Sequence, residues 1–375
     1  MPAADVLVVG GGVTGTMAAI HLAENGARVT ILDAARNAGS DANAGSLHVQ
    51  MQSRFMRLYP NQVPAVEASL PFYRQAAETW VELDEQLGGV DLVRNGGLML
   101  AESDEQLAFL EKKAEREAAQ GLTVDILQRQ DLENIAPWLG AHIVGAELCR
   151  DEGKLNPLIA NKRLRARAEA AGARRETVFV EALTEAANGI TVHTANGDHR
   201  ADQVIVAAAW GSGELTRPFG VAIPSQAEPL HMNITEPASI ALSHLVQHAE
   251  RSITLKQFGS GQIVIGGGWA AKDCGPHRPP EVEVTSLLGN VALAAELVPA
   301  IGNLSVIRTW AGMNTTTDGA SIIGRLPACK RVVMAVPGDA GYTLGPLVGR
   351  LAADIALGQV PNTDIERFSP GRFTT

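Results

Sequence analysis

The stretch from Asp5 to Asp33 constrains this chain more than any other. Val6-Leu7-Val8-Val9 is a continuous apolar run of the kind that a strand buried on both faces requires. Gly10-Gly11-Gly12-Val13-Thr14-Gly15 follows at once and fits G-x-G-x-x-G, with Gly10, Gly12 and Gly15 in the glycine slots. Ala18, Ala19, Leu22 and Ala23 then recur at helical spacing, Gly26 stops that helix, and Val29-Thr30-Ile31-Leu32 forms a second strand ending at Asp33. The glycines serve a tight turn, a close approach of phosphate to backbone, and tight packing of helix on strand. The helix N-terminus then presents unpaired N–H groups and a partial positive charge to the phosphates. Asp33 lies 18 residues beyond Gly15, close to the roughly 20 at which an acid accepts ribose hydroxyls. A glycine turn alone is weak support, because ordinary α/β proteins contain such turns. Strand, helix and terminal acid together point to a dinucleotide site, and the charge of Asp33 disfavours a 2′-phosphate.

The remaining composition narrows the class. A chain of 375 residues is too long for one simple core and suits two intertwined lobes. A net charge of −10 argues against nucleic acid and anionic membrane surfaces as partners. Cys149, Cys274 and Cys329 are far apart and form no C-x-x-C, so neither a disulfide framework nor a metal–sulfur site is encoded. The first strand begins within about five residues of Met1, and no apolar run approaches the roughly 18 residues of a membrane span. These features lead to the expectation of a cytoplasmic protein with no integral membrane segment.

Along the chain, Ala34 to Ser46 is small and polar, suited to an ordered loop whose backbone touches a flat ligand. Leu47 to Phe55 mixes apolar residues with His48, Gln50, Gln52 and Arg54, either lining a pocket or forming an amphipathic segment. Helices are expected over Pro71 to Leu87, Ser103 to Gln120 (with a capping-box start and a solvated Glu/Lys face), Gln130 to Ile135, Pro157 to Ala171 and Val284 to Leu297. Val93 to Leu100 and Val306 to Trp310 read as strands, and Asn196-Gly197 as a hairpin turn. Gln203 to Trp210 reads as a buried strand returning to the first sheet, and Ala222 to Arg308 as a mostly antiparallel region. Arg331 to Val336 is a strand running into Pro337 to Pro346, which opens a helix to Leu357. This second strand, glycine-rich turn and helix again places a helix N-terminus where negative charge is stabilised. His21 reads as a helix-surface residue.

Several of these stretches together resemble the FAD-dependent D-amino acid oxidase-like oxidoreductases. They are Val9 to Asp33, Ser40 to Leu47, Asp151 to Pro157, Val204 to Leu215, Arg308 to Gly312, Thr317-Asp318-Gly319 and Gly338 to Pro346. The resemblance implies an α/β fold, with a Rossmann-like FAD-binding domain of the glutathione reductase type and a mixed, largely antiparallel substrate domain. It places the FAD domain at 1–85, 150–220 and 315–375, and the substrate domain at 86–149 and 221–314. FAD, held non-covalently, would contact Gly10, Gly12, Val13, Thr14, Gly15, Asp33, Ala34, Ser40, Asn43, Ala44, Gly45, Ser46 and Leu47. Val180, Ala208, Trp210, Gly338, Gly341, Tyr342, Thr343 and Leu344 would close the later part of that site.

Within the family, Asn43 to Arg54 and Asp339 to Pro346 look most like the β-subunits of opine oxidases. That likeness implies a hetero-oligomer whose α-subunit carries an iron–sulfur cluster and further flavin, with an FMN allowed at the subunit contact. The chemistry implied is oxidation of a secondary amine by hydride transfer to flavin, with His48, Arg308 and Tyr342 as the candidate catalytic residues. Arg308, Arg54, Lys256 and His48 are the candidate partners of a substrate carboxylate. Glycine oxidase-type members carry an arginine two residues after the W-A-G glycine, and this chain has Asn314 there. The rival readings are a self-contained glycine, D-amino acid or D-hydroxyproline oxidase or dehydrogenase, a non-catalytic flavin-carrying electron-transfer subunit, and an NAD-dependent dehydrogenase.

Overall fold

The computed structural model describes residues 5–35, 39–275 and 278–374, so residues 36–38 of the Ala34 to Ser46 loop lie outside it. The chain divides into two compact units, Met1–Asp41 with Leu158–Glu228 and Asn314–Thr375, and Ala42–Pro157 with Pro229–Met313.

The first unit is built on a six-stranded sheet, in the order Ile322–Arg325, Val332–Val336, Gln203–Val206, Asp5–Val9, Arg28–Asp33, Arg174–Thr177. Only the Ile322–Arg325 edge runs antiparallel. The continuous apolar runs follow from this position, since Val8, Ile205 and Val333 are fully buried inside parallel strands. A three-stranded antiparallel sheet (Val180–Ala186, Gly189–Thr194, Gly197–Ala201) covers part of one face with Leu183, Ile190 and Val192. Helix Val13–Glu24 and the C-terminal helix Gly341–Ala356 lie directly on each other. A Cβ on Gly345 would sit 2.5 Å from Val13 Cγ1, and one on Gly349 would sit 2.3 Å from the Thr14 carbonyl oxygen. His21 belongs to this packing and is not a free helix-surface residue: its Nε2 lies 2.7 Å from the Asp354 carboxylate.

Two expectations change here. The strand at Gln203 stops at Val206, because the chain turns through Ala208 into a short 3-10 segment, Ala209–Gly211, with Ala209 at φ +54. The helix expected from Pro157 runs to Ala170, and Gly172 at φ +95 ends it.

The second unit contains an eight-stranded sheet. Its order is Val306–Thr316, Gln226–Pro237, Gln262–Gly266, Thr254–Gln257, Leu245–His248, Gly97–Ala101, Gly145–Cys149, Val124–Gln128. From Gln226–Pro237 onward the pairs are antiparallel, except Leu245–His248 with Gly97–Ala101. The strand expected from Val93 starts at Gly97, and Val93 makes only an isolated bridge to Lys154. The strand expected to stop at Trp310 continues to Thr316. Leu98, Leu148, Val246, Leu255 and Ile263 form a core with Leu293, Ala294 and Leu297 of helix Val284–Leu297. Alternation turns Glu147, Gln247 and Lys256 to the opposite face, which is also buried.

That second face corrects one expectation. Helix Asp104–Ala119 starts at Ser103, whose side chain accepts from Gln106 N; Glu105, Glu111, Lys112 and Glu115 form the expected solvated face, but two members of the Glu/Lys run do not belong to it. Lys113 and Glu117 are buried, and Lys113 Nζ lies 2.9 Å from Glu117, 2.7 Å from Glu147 and 3.0 Å from Gln50 Oε1. The polar face of the helix meets a polar patch of the sheet. Among the described residues no helix is long and apolar enough to cross a membrane.

Candidate functional site

In the first unit, the glycine turn is held open from beneath. Gly10 has φ +105, and a Cβ there would lie 2.2 Å from the Ala207 carbonyl oxygen, so the turn abuts the Ala207–Ala208 end of the neighbouring strand. A Cβ on Gly11 would meet the Asp33 carboxylate at 2.7 Å, and one on Gly12 would meet Ser40 Oγ at 2.9 Å. The acid and the serine therefore stand over bare backbone. Asp33 also accepts from the Arg175 guanidinium. Ala35 follows at φ +52, a conformation that only a constrained non-glycine residue keeps.

Helix Val13–Glu24 makes its first internal bond from Thr16 N to Gly12 O, so the amides of Val13, Thr14 and Gly15 precede the ladder. Val13 N is taken by Ser40 Oγ at 2.9 Å, and no acidic residue stands in the first turn. A shallow surface depression lined by Gly11, Gly12, Val13, Thr16, Asn161 and Arg165 lies at this helix end. A side-chain-free floor, a positive helix terminus, a nearby guanidinium and an acid one strand away suit a diphosphate with its ribose.

The C-terminal turn closes on the same place. Gly338 at φ +85 leaves no room for a Cβ, which would sit 2.9 Å from Thr317 Oγ1. Helix Gly341–Ala356 makes its first bond from Leu344 N to Ala340 O, so the amides of Gly341, Tyr342 and Thr343 precede its ladder. Tyr342 is buried, and its hydroxyl donates to Asn161 Oδ1 at 3.0 Å. Burial pushes that phenol well above its usual range. Asn161 Nδ2 in turn donates to the Ser40 carbonyl at 2.8 Å. Tyr342, Asn161 and Ser40 thus tie the C-terminal helix to the start of the first helix. Val180 and Ala208 pack in or against the core under this sheet, and the Trp210 carbonyl accepts from Ser225 Oγ at 2.9 Å. Asn314 Nδ2 donates to Glu228 Oε2 at 3.0 Å.

In the second unit, the Asn43 to Leu47 loop is shaped from behind. Asn43 Oδ1 accepts from Gly45 N at 2.7 Å, and Gly45 at φ +80 presses on the Leu155 carbonyl, 2.1 Å from where its Cβ would be. Trp310 Nε1 donates to the Ala42 carbonyl at 2.8 Å, and a Cβ on Gly312 would collide with Ala42 Cβ at 2.4 Å. The W-A-G sequence therefore seats this loop. Ser46 and Leu47 pair with Gly153–Lys154 in a short antiparallel ladder. Lys256 Nζ donates to Ser46 Oγ at 2.6 Å and is almost fully buried. Burial, and then the charge of Lys154, lower the Lys256 ammonium to about 7; burial alone lowers Lys154 to about 8.

His48 follows, half-buried, with Nδ1 3.8 Å from Glu152 Oε1. The Glu152 carboxylate is fully buried and accepts from Val49 N at 2.8 Å, Gln50 Nε2 at 2.9 Å and Gln247 Nε2 at 2.7 Å. Arg54 donates to Ser252 Oγ at 2.5 Å. Arg308 is exposed, and its guanidinium stands 5.8 Å from the Trp310 ring centroid. Asn161, Arg175 and Glu152 are not among the residues expected from the sequence. Glu152 is legible there only as part of Asp151 to Pro157, and the other two carry no local signal.

The family model for FAD-dependent oxidoreductases of the DAO type matches residues 5–355. The chain belongs to this family. It is 26% identical to a glycine oxidase of Bacillus licheniformis, over 98% of this chain and 97% of that one. It is 25% identical to an opine oxidase subunit of Agrobacterium tumefaciens, over 98% of this chain and 97% of that one. The fold matches the crystal structure of glycine oxidase from Geobacillus kaustophilus with a TM-score of 0.85, covering 98% of both chains at 22% identity. This FAD-dependent oxidoreductase thus has relatives acting on several amino-acid-like substrates at nearly equal distance. In it the Gly10–Gly15 turn, Asp33 and the amides of Gly341 to Thr343 lie in one unit, an arrangement that could hold the dinucleotide.

Proposed function

We propose that this chain is the catalytic β-subunit of a hetero-oligomeric dehydrogenase that oxidises a secondary amine of the opine type, an N-carboxyalkyl amino acid. The observation that carries the reading is the Asn314–Glu228 pair. The position at which glycine oxidase-type relatives place a carboxylate-gripping arginine here holds an amide bonded to an acid. A buried lysine, Lys256, is the candidate source of positive charge. The match to an opine oxidase subunit over nearly the whole of both chains supports the same class.

FAD supplies the two-electron acceptor that the protein lacks. The chain's own part is to bind and orient the amine, keep water from the reacting carbon, and favour the neutral amine, whose nitrogen lone pair pushes hydride off the adjacent carbon. The substrate becomes an imine, which water splits into an amino acid and a keto acid. The amides of Gly341, Tyr342 and Thr343 would hold the flavin and would supply donors to negative charge on it. His48 is assigned to take the amine proton, with Glu152 beside it. The three cysteines are unpaired, Cys149 and Cys329 being buried, so an iron–sulfur cluster would come from the α-subunit. That subunit, a second flavin at the contact and non-covalent attachment of FAD belong to this proposal.

The glycine oxidase match favours a second reading, a self-contained oxidase of glycine or a D-amino acid. Anaerobic mixing of the flavin-loaded protein with N-carboxyalkyl amino acids, glycine and D-amino acids separates the two. Bleaching of the flavin band by the N-carboxyalkyl compounds at least about tenfold faster than by the others is expected. Bleaching by glycine or D-alanine alone, with peroxide release in air, overturns the opine assignment. No bleaching by any amine leaves the chain as an electron-carrying subunit.

A further inference from the structure

Lys113 shows what a structural buried lysine looks like in the second unit. It has two carboxylates and an amide oxygen within 3.0 Å, and those neighbours hold its ammonium charged, with its pKa raised. Lys256 and Lys154 are built differently. Lys256 has the Ser46 hydroxyl at 2.6 Å, and Lys154 has the Leu242 carbonyl at 3.0 Å. Among the described residues no carboxylate lies within 4 Å of either nitrogen. The charge of Lys154 adds to the burial that lowers Lys256, and among the described residues no acid offsets either.

Their placement is set by the fold. Ser46 and Lys154 are direct partners in the Ser46–Leu47/Gly153–Lys154 ladder, and Lys256 reaches the same serine from strand Thr254–Gln257. Leu242, which receives Lys154, is itself tied to that strand by Gln257 Oε1 accepting from Leu242 N at 2.7 Å. The other titratable groups nearby do not neutralise the pair. His244 is pushed down by burial and by Lys154 and Arg150, and Glu152 spends its carboxylate on Val49, Gln50 and Gln247. Two buried lysines, one bonded to the Ser46 hydroxyl and the other to the Leu242 carbonyl, with no acid beside either among the described residues, lose stability when charged unless an anion arrives.

We propose that Lys256, held by Ser46, and Lys154, the ladder partner of that serine, form a buried anion seat that takes a carboxylate of the amine substrate. This rests on the amine-oxidising reading above and names the group by which the substrate is held. The arriving carboxylate favours the charged form of both lysines, so binding near neutral pH takes up protons. It also explains why so costly a pair persists: residues kept for ligand binding at the expense of stability are a common trade.

The test titrates the flavin-loaded protein with malonate, which carries carboxylates but no C–N bond, by calorimetry at pH 7.5 in two buffers of different ionisation heat. Saturable binding with net proton uptake is expected. K256M and K154M, each with unchanged flavin content, should bind malonate at least about tenfold more weakly. K256R should recover most of the loss, and K256M should melt at a higher temperature than the parent. Malonate binding that is absent from the parent, or unchanged in both methionine variants, overturns the seat. So does a K256M variant with a lowered flavin midpoint potential and unaltered malonate affinity, which would give the lysine to the reduced flavin. If malonate behaves as expected and no amine bleaches the flavin, the seat stands and the amine reading falls.

Discussion

Gly10 is the residue with least freedom to change. Its φ of +105 strains any L side chain, and its missing Cβ leaves room for the Ala207 carbonyl. Gly10→Ala is expected to cost about 1–3 kcal/mol from the backbone alone. It should displace the turn enough to drop bound flavin well below half occupancy, read from the ratio of flavin to protein absorbance; full flavin retention would contradict this. Lys256 governs the pH response at the same scale. Its pKa is about 7 in the fold against an ordinary value of 10.5, so between those limits the unfolded chain binds the extra proton. Stability from this group therefore rises with pH from about 7, at up to about 1.4 kcal/mol per unit, and the penalty is full below it. Lys154 adds a parallel contribution from about 8. Urea unfolding between pH 6.5 and 9 should show the rise, and K256M should flatten it.

At the scale of elements, helix Asp104–Ala119 illustrates how context overrides pattern. Its Lys113 and Glu117, four residues apart, look like a solvent-facing pair, yet they sit against Glu147 of strand Gly145–Cys149. Burial, and then Glu147, raise Glu117 well above its ordinary value despite the opposing pull of Lys113. Removing the Lys113 ammonium leaves two buried acids. Lys113→Met is therefore expected to destabilise the protein by about 3–5 kcal/mol near neutral pH. The deficit should shrink as the pH is lowered and Glu117 takes up a proton. An unfolding midpoint that does not move on this substitution would show the cluster to be inert. The helix pair Val13–Glu24 and Gly341–Ala356 carries the opposite lesson. Glycines at 345 and 349 let two backbones meet, and that contact brings the second amide-rich helix start beside the first.

For the whole molecule, the proposed α-subunit makes the next prediction. Co-expressed with it, the chain should elute as a larger complex containing iron and acid-labile sulfide, while the chain alone contains neither. Elution as a lone species in the presence of that subunit would contradict the assembly. The order of strands and turns was readable because its signals are local. A continuous apolar run, three glycines and a terminal acid state their own geometry within 29 residues, and the α/β fold and the FAD-dependent family follow from them together with the later glycine stretch. The solvated face assigned to the Glu/Lys helix holds for Glu111, Lys112 and Glu115 but not for Lys113 and Glu117, because composition reports polarity and not what packs against it.

The rest required tertiary structure, since the partners are remote in sequence. Asn161 meets Ser40 across 121 residues and Tyr342 across 181, and Lys256 meets Ser46 across 210. Local propensity and hydrophobic period, which act over a turn or a strand, settled the dinucleotide turn and the alternation of elements. Which buried charges find a counter-ion depends on which strands become neighbours, and only the folded chain decided that Lys113 has carboxylates beside it while Lys256 and Lys154 have none among the described residues.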